Sequence, residues 1–432
     1  MNQDYTQFGI ENYILKITGV FNYDNEFLKK ATQSNYQEFQ FPADFEKFSK
    51  DYFYPHLRNQ FFNNDKKRHV ILVRENAESS IVDLFSKNYD GSKSKQVKLK
   101  IIESRLDLFD DGFGLFTLNI KIQSEKVDLF KYSDAAFLTR NFETYIEHTH
   151  YEKWHEYIEK EVLLGSSTRG QAVKVDEYSG SKYKLFMVLD IPELNEKELI
   201  QSLLFDIGML SRIGSAIGNT YDSMNKDYVS QLVNNNSISV YNNWQALALL
   251  DSFTIVGNKI IDTPFKKETY NSIYYGIYLY CLFIKYSLFK YNFEIADLDE
   301  DRRSHFQDFL AKYYFNYISY NFLPTEIFNK IRAALDIEKE LTLLNEKIVA
   351  VGQKIQEEQQ ERTNKILEIV TILTSISSFQ PVYDYLVEGQ KWLGWSVEIY
   401  WMTAISIVFV ILGGIGFYVF GKSILKWFKK RK

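Results

Sequence analysis

The sequence predicts a cytoplasmic α/β domain followed by a long α-helical stalk and a two-helix transmembrane hairpin. Three observations predict this order. Roughly the first 250 residues combine helical patterns with alternating or β-branched runs that are typical of strands. A repeat of apolar residues at spacings of four and three follows. Residues 399–420 then form 22 consecutive positions without a charge.

The first part, residues 1–323, is predicted to be an α/β domain with helical additions. Helical patterns occur at 126–142, 150–163, 195–218 and 239–250, and the short, Tyr-rich apolar segment 273–291 is predicted to be a core helix. The sequence Asp110-Asp111-Gly112 is a tight-turn signal and predicts a hairpin. The predicted strands are Tyr13–Val20, His69–Arg74, Val97–Glu103, Leu115–Ile122 and Tyr183–Ile191.

Residues 324–365 are the predicted stalk helix. No Pro lies between Thr325 and Gln380, so one helix can continue from about Thr325 through the stalk into the membrane region. An intramolecular coiled-coil hairpin is the alternative for the same pattern. The repeat consists of Ile337, Leu341, Leu344, Ile348, Val351 and Ile355.

Charge sets the predicted number of membrane spans within 366–421. The basic tail 422–432 carries six positive residues and no acid, and Lys and Arg tend to stay in the cytoplasm. The N-terminus shows no signal peptide, so we expect the large domain to be cytoplasmic as well. Both conditions are satisfied by two spans, 366–383 and 399–420, which an external loop at 384–398 joins. The sequence therefore predicts a multi-pass inner-membrane protein with both termini cytoplasmic and the lipid bilayer as a partner.

The first predicted span carries a polar stripe. Asn364, Glu368, Thr371, Ser375 and Ser378 recur at spacings of 4, 3, 4 and 3 and share one helical face. A polar stripe is costly against lipid, so we expect these residues to line a cation pore around an oligomer axis. The alternative is an amphipathic helix that lies on the membrane or packs in the soluble domain.

Composition excludes several functions. The net charge of −5 and the tail charge of +6 leave −11 on the rest of the chain, which argues against direct nucleic-acid binding. Cys281 is the single cysteine, so an internal disulfide is excluded, and its apolar surroundings predict a core residue. No GxxxxGK[ST] or HExxH motif occurs. We therefore expect the protein not to be an enzyme.

Two segments resemble the CorA family of divalent-cation channels. ERTNKILEIVTILTSI, residues 361–376, resembles the stalk-to-pore junction of that family, and KSILKWFKKRK, residues 422–432, resembles its basic C-terminus. The resemblance covers about 100 residues well. It implies a homopentamer that conducts a divalent cation such as Mg²⁺. The Gly-Met-Asn signature of the family is absent near 385–387, which puts ordinary magnesium uptake in doubt.

This divergence resembles the CorA-like membrane effectors of type III CRISPR systems. That subfamily resemblance implies antiviral defence and a response to a nucleotide messenger. Two segments offer groups for such a small ligand. The loop 165–170 contributes Ser167, Thr168 and Arg169, and helix 201–218 contributes Asp206 and Arg212 among glycines. A plain connecting loop and close helix packing are the alternatives for these two segments.

A third candidate site is a metal-binding helix face. His148, Glu152 and His155 have the spacing to share one side of a helix, although an exposed polar face explains the same pattern. Together these patterns predict an oligomeric CorA-like channel that is gated by a ligand through its cytoplasmic domain. The alternative is a non-conducting, membrane-anchored binding or scaffold protein.

Overall fold

The structure is a computed structural model that describes residues 8–65, 69–76, 80–109, 112–166, 182–192, 197–210, 213, 224–294, 300–377, 381, 384 and 388. The chain divides into two compact units, Met1–Ile348 and Val349–Lys432. The first unit contains the β-sheet and its helices. The second contains most of one long helix.

The described part of the first unit contains a large mixed β-sheet. Its strands are β1 (Asn12–Asn22), β2 (Gln37–Glu38), β3 (Val70–Glu75), β4 (Ile81–Lys87), β5 (Lys93–Phe109), β6 (Phe113–Ile122), β7 (Tyr145–Glu147), β8 (Lys184–Asp190), β9 (Ser237–Tyr241), β10 (Trp244–Ala248) and β11 (Ser252–Gly257).

Helices connect and cover these strands. They are α1 (Asn25–Gln33), α2 (Ala43–Tyr52), α3 (Pro55–Phe61), α4 (Leu129–Arg140), α5 (Trp154–Tyr157), α6 (Lys197–Gly208), α7 (Lys226–Asn236), α8 (Pro264–Glu268), α9 (Tyr275–Glu294), α10 (Glu300–Tyr313), α11 (Phe322–Ala334) and α12 (Ile337–Ser377). Two π-helical segments, Ile158–Val162 and Thr269–Tyr274, continue α5 and connect α8 to α9.

The strands are ordered β2-β3-β5-β6-β1-β8-β11-β10-β9. The long strand β5 pairs with β4 through its first half and with β3 through its second half, and β7 continues the sheet from β4. Strands β8 and β11 are parallel, whereas the other described pairs are antiparallel.

Alternation along the central strand β1 separates the two faces of the sheet. Leu15, Ile17 and Phe21 are buried in a large apolar core that includes residues of α4 and α6. Lys16 and Thr18 face the opposite side, where Lys16 bonds Asn271 and Thr18 bonds Tyr275. One face is therefore apolar, and the other carries polar groups beneath α9.

The strand predictions agree with the structure at each predicted segment, and Gly112 adopts a φ of 71° in the turn between β5 and β6. The core helix predicted at 273–291 is α9, and Cys281 within it is fully buried. The helix predicted at 239–250 is wrong. This segment forms β9 and β10 instead, because pairing with β11 places its apolar residues inside the sheet.

The stalk is not one continuous helix from Thr325. It begins as α11 and breaks at Leu335 and Asp336, where Asp336 adopts a φ of 54°. Helix α12 then starts at Ile337. Asp tolerates this left-handed conformation better than most residues, so it marks the break between the two helices.

No helix in the described part of the chain is long and apolar enough to cross a membrane. This finding contradicts the predicted transmembrane hairpin and the multi-pass inner-membrane location, and the fold class is corrected to an α/β domain followed by a helical region. The physical reason lies in α12. A helical stretch of about 18 residues ending at Ser377 includes Glu361, Arg362, Lys365 and Glu368, which are costly in hydrocarbon. The second predicted span, 399–420, lies outside the described residues.

Candidate functional site

The predicted pore residues lie on α12 where the structure describes them. Asn364, Glu368 and Thr371 are exposed in the chain, and the Thr371 hydroxyl donates a hydrogen bond to the Leu367 carbonyl at 2.7 Å. Ser375 belongs to the same helix, and Ser378 lies outside the described residues. The pore itself stays a prediction.

The predicted ligand residues are not brought together within the described part of the chain. Ser167, Thr168, Arg169 and Arg212 lie outside the described residues. Asp206 is fully buried in α6, and a Cβ at Gly208 of the same helix would lie only 3.1 Å from Leu247 Cδ2. This tight contact favours close helix packing as the role of that glycine.

The predicted metal-binding helix face does not form. Helix α5 begins only at Trp154, so His148 and Glu152 precede it. His155 is buried, and its Nδ1 donates a hydrogen bond to the Phe142 carbonyl at 3.0 Å. The His148 backbone is left-handed with a φ of 59°, which turns the chain directly after β7.

Sequence reasoning missed a buried ionic cluster on the polar face of the sheet. Arg105 and Asp107, two positions apart on β5, form a bidentate pair with Nε–Oδ2 and Nη2–Oδ1 distances of 2.8 and 2.7 Å. The His69 Nε2 donates to Asp107 Oδ1 at 3.2 Å. Burial alone raises the pKa of Asp107, but Arg105 and His69 outweigh it and lower that pKa to about 2. Asp107 is thus held as a carboxylate.

Lys16 lies on the same face of the sheet. Its Nζ donates to the Asn271 carbonyl at 3.2 Å and lies 4.2 Å from the centre of the Tyr275 ring. Burial lowers the pKa of Lys16 to about 8, although the Glu103 carboxylate opposes this shift. The lysine therefore links β1 to the π-helical segment Thr269–Tyr274 and to Tyr275 at the start of α9. This link carries the free-energy cost of a buried charge.

Tyr275 is the centre of this connection between sheet and helix. Its hydroxyl forms hydrogen bonds with Thr18 at 3.0 Å and with Thr117 on the neighbouring strand. Burial raises the pKa of Tyr275, so it stays protonated. A signal for this face exists in the sequence. Lys16 and Thr18 alternate with apolar residues along β1, as Arg105 and Asp107 do along β5, which indicates a polar stripe across the sheet.

Helix α9 also anchors the beginning of α12. Lys285 of α9 pairs with Glu340 of α12, and both side chains are mostly buried. About two turns later, Lys347 donates to the Asn292 side chain. Leu344 lies between these contacts and is fully buried within the single chain. The first part of the predicted heptad repeat is therefore used inside the domain.

The end of α12 is different, because its apolar side chains are exposed. Ile369 is 58% exposed and Ile372 is 38% exposed. Both continue the four-and-three spacing of the upstream repeat after an interruption by charged residues at 358, 362 and 365. The exposed apolar set is Ile366, Leu367, Ile369, Val370, Ile372 and Leu373, which we call the apolar end of α12.

No protein-family model, curated protein or solved structure matches this chain. The resemblance to the CorA family therefore stays a prediction, as do the Mg²⁺ and nucleotide ligands that it implied.

Proposed function

We propose that this protein is a binding or scaffold protein that assembles as a homo-oligomer through the apolar end of α12. The observation that carries the proposal is the exposure of six large apolar side chains within eight consecutive residues, 366–373. Contiguous exposed apolar surface of this kind marks an interaction site. A second copy of the same helix is the occupant favoured by the heptad spacing of Ile369 and Ile372.

The energetics favour association of several helices. A fully buried Ile or Leu side chain contributes roughly 1.5–3 kcal/mol relative to an exposed one. The apolar end offers five such side chains and one Val on each copy. These side chains are 38–61% exposed in the single chain, so burying them from two or more copies gives a stabilisation comparable with the association cost of about 4–15 kcal/mol.

The N-terminal unit supplies the anchored beginning of the assembly helix. Lys285, Glu340 and the buried Leu344 hold the first turns of α12 against the α/β domain. The polar stretch 356–365 separates these contacts from the apolar end. This arrangement supports a division of roles, with the α/β domain as the binding module and the end of α12 as the assembly element.

The test is the mass of the full chain by native mass spectrometry over a range of concentrations. The parent should be oligomeric, and Ile369→Lys with Ile372→Lys should raise the dissociation constant at least about a hundredfold, because both charges enter the apolar contact. The matched control is Asn364→Lys with Thr371→Lys, which adds the same charge on the polar stripe and should leave the mass unchanged. A monomeric parent, or equal effects of the two double variants, would contradict the proposal.

The CorA-like, ligand-gated channel and the homopentameric state stay predictions from the resemblance. The alternative predicted from the sequence was a non-conducting, membrane-anchored binding or scaffold protein. The α12 surface supports our proposal of a binding or scaffold role without that membrane anchor.

A further inference from the structure

Three metal-ligating side chains meet where β4 pairs with β7. Asp83 on β4 lies directly opposite Glu147 on β7, and His148 follows Glu147 in the chain. One carboxylate oxygen from each acid and one ring nitrogen of His148 all lie within 4.8 Å of one another. Antiparallel pairing thus joins residues that are far apart in the sequence.

Asp83 gives an independent reason to expect a ligand here. It is only 9% exposed. Among the residues that the structure describes, it forms no hydrogen bond or ion pair. A carboxylate without a protein partner is open to a bound cation, and it attracts that cation more strongly in a mostly buried position than on the open surface. Asp83 is therefore available as a metal ligand.

We propose that Asp83, Glu147 and His148 bind a divalent metal ion of the zinc class. Zn²⁺ accepts one imidazole nitrogen and two carboxylate oxygens at about 2.0–2.2 Å, with water as a fourth ligand. In a tetrahedral site this brings the ligand atoms to roughly 3.4 Å from one another. The ligand atoms, which lie within 4.8 Å of one another, must approach by up to about 1.4 Å for this closure. The imidazole selects Zn²⁺ over Mg²⁺, which prefers an octahedron of oxygens.

Neighbouring cations compete with the metal. Glu147 pairs with Lys93 through one carboxylate oxygen and accepts a hydrogen bond from Gln96 Nε2 at 2.8 Å through the other. Lys98 lies opposite Asp83 on β5. Metal binding displaces the Lys93 ammonium, while Gln96 remains to orient the ligating carboxylate. Lys93 therefore lowers the affinity of the site for the metal, because its ammonium competes for Glu147.

The experiment is a titration of the full chain with ZnCl₂ by isothermal calorimetry, together with thermal unfolding with and without ZnCl₂. The parent should bind one Zn²⁺ at this site and unfold at a higher temperature when it is bound. Asp83→Asn should weaken binding at least tenfold and remove the zinc-dependent rise. It should leave the metal-free unfolding temperature nearly unchanged, because Asn has the same shape as Asp.

Three further variants make the result specific. His148→Ala should weaken binding like Asp83→Asn, whereas the matched control His150→Ala, two positions away and also exposed, should not. Lys93→Met should tighten binding several-fold by removing the competing ammonium. The proposal is overturned if the parent binds no Zn²⁺, or if Asp83→Asn and His148→Ala bind it as tightly as the parent, which means adventitious surface binding only.

Discussion

Lys16 makes the stability of the folded chain depend on pH, because its ammonium group is buried. Its ammonium is charged below about pH 8 in the folded chain, because burial has lowered its pKa to about 8. The ordinary value is 10.5. Between these two values the unfolded chain binds the proton more tightly than the folded chain does. The free energy of unfolding therefore rises with pH in this window, since deprotonation relieves the buried charge.

We predict that the stability of the parent relative to Lys16→Met rises between about pH 8 and about pH 10. The slope for one proton is about 1.4 kcal/mol per pH unit. Lys184 contributes in the same direction because burial lowers its pKa too. The difference between parent and variant, measured by denaturant unfolding at several pH values, isolates Lys16.

Above about pH 10 the buried tyrosines reverse the trend. Burial raises the pKa of Tyr36 to about 12, so the folded chain retains a proton that the unfolded chain loses near the ordinary value of 10.0. Both proteins should lose stability there alike. A parent and Lys16→Met with parallel pH curves below pH 10 would show that Lys16 does not titrate as the geometry indicates.

At the scale of elements, the strands were predictable because apolar and polar residues alternate along them with a period of two. The segment 239–250 was not, since its Ala and Leu residues favour a helix by local propensity. The register between β9 and β10 shows which sequence signal was missed. Tyr241 pairs with Trp244, which leaves Asn242 and Asn243 as a two-residue hairpin turn. Tertiary pairing overrides propensity at this position.

The heptad repeat illustrates a second limit. Its spacing identified an apolar seam correctly, but spacing does not specify which surface covers the seam. Leu344 is 0% exposed in the single chain, so the first part of the repeat packs within the domain. The apolar end of α12 continues the same spacing and is exposed. The same four-and-three spacing therefore occurs on a surface that is buried in the domain and on one that is exposed at the end of α12.

We predict that Leu344→Lys destabilises the α/β domain by at least about 3 kcal/mol, because it buries an unpaired charge. The neighbouring Leu343 is 45% exposed and provides the matched control. Leu343→Lys should change the free energy of unfolding by no more than about 0.5 kcal/mol. Denaturant unfolding of both variants measures this contrast. Equal effects would mean that α12 does not pack against the domain at Leu344.

At the scale of the molecule, the sequence predicted which segments are α/β and which are helical, but not which side chains meet. His148 was a candidate ligand, yet its predicted partners were residues nearby in the chain. Its actual neighbours, Asp83 and Glu147, come together through the pairing of β4 and β7. The ionic cluster of Lys16, Arg105 and Asp107 likewise depends on strand order, which a single sequence does not reveal.

The division into two units gives the last prediction. Unit 1 ends at Ile348 and contains the sheet and its cores. A chain truncated after Glu358 retains Leu344 and the Lys285–Glu340 ion pair but lacks the apolar end of α12. We predict that it folds with the near-ultraviolet circular dichroism of a packed core and retains the Lys16-dependent rise in stability with pH.

The same truncated chain should be monomeric at concentrations where the full chain is oligomeric, because it lacks the exposed apolar surface that joins the copies. Sedimentation equilibrium of both chains compares their masses directly. A truncated chain that is folded and still oligomeric would place the assembly surface on the α/β domain. A truncated chain that fails to fold would show that α12 beyond Glu358 contributes to the core, although its described side chains from Gln359 to Thr374 are exposed.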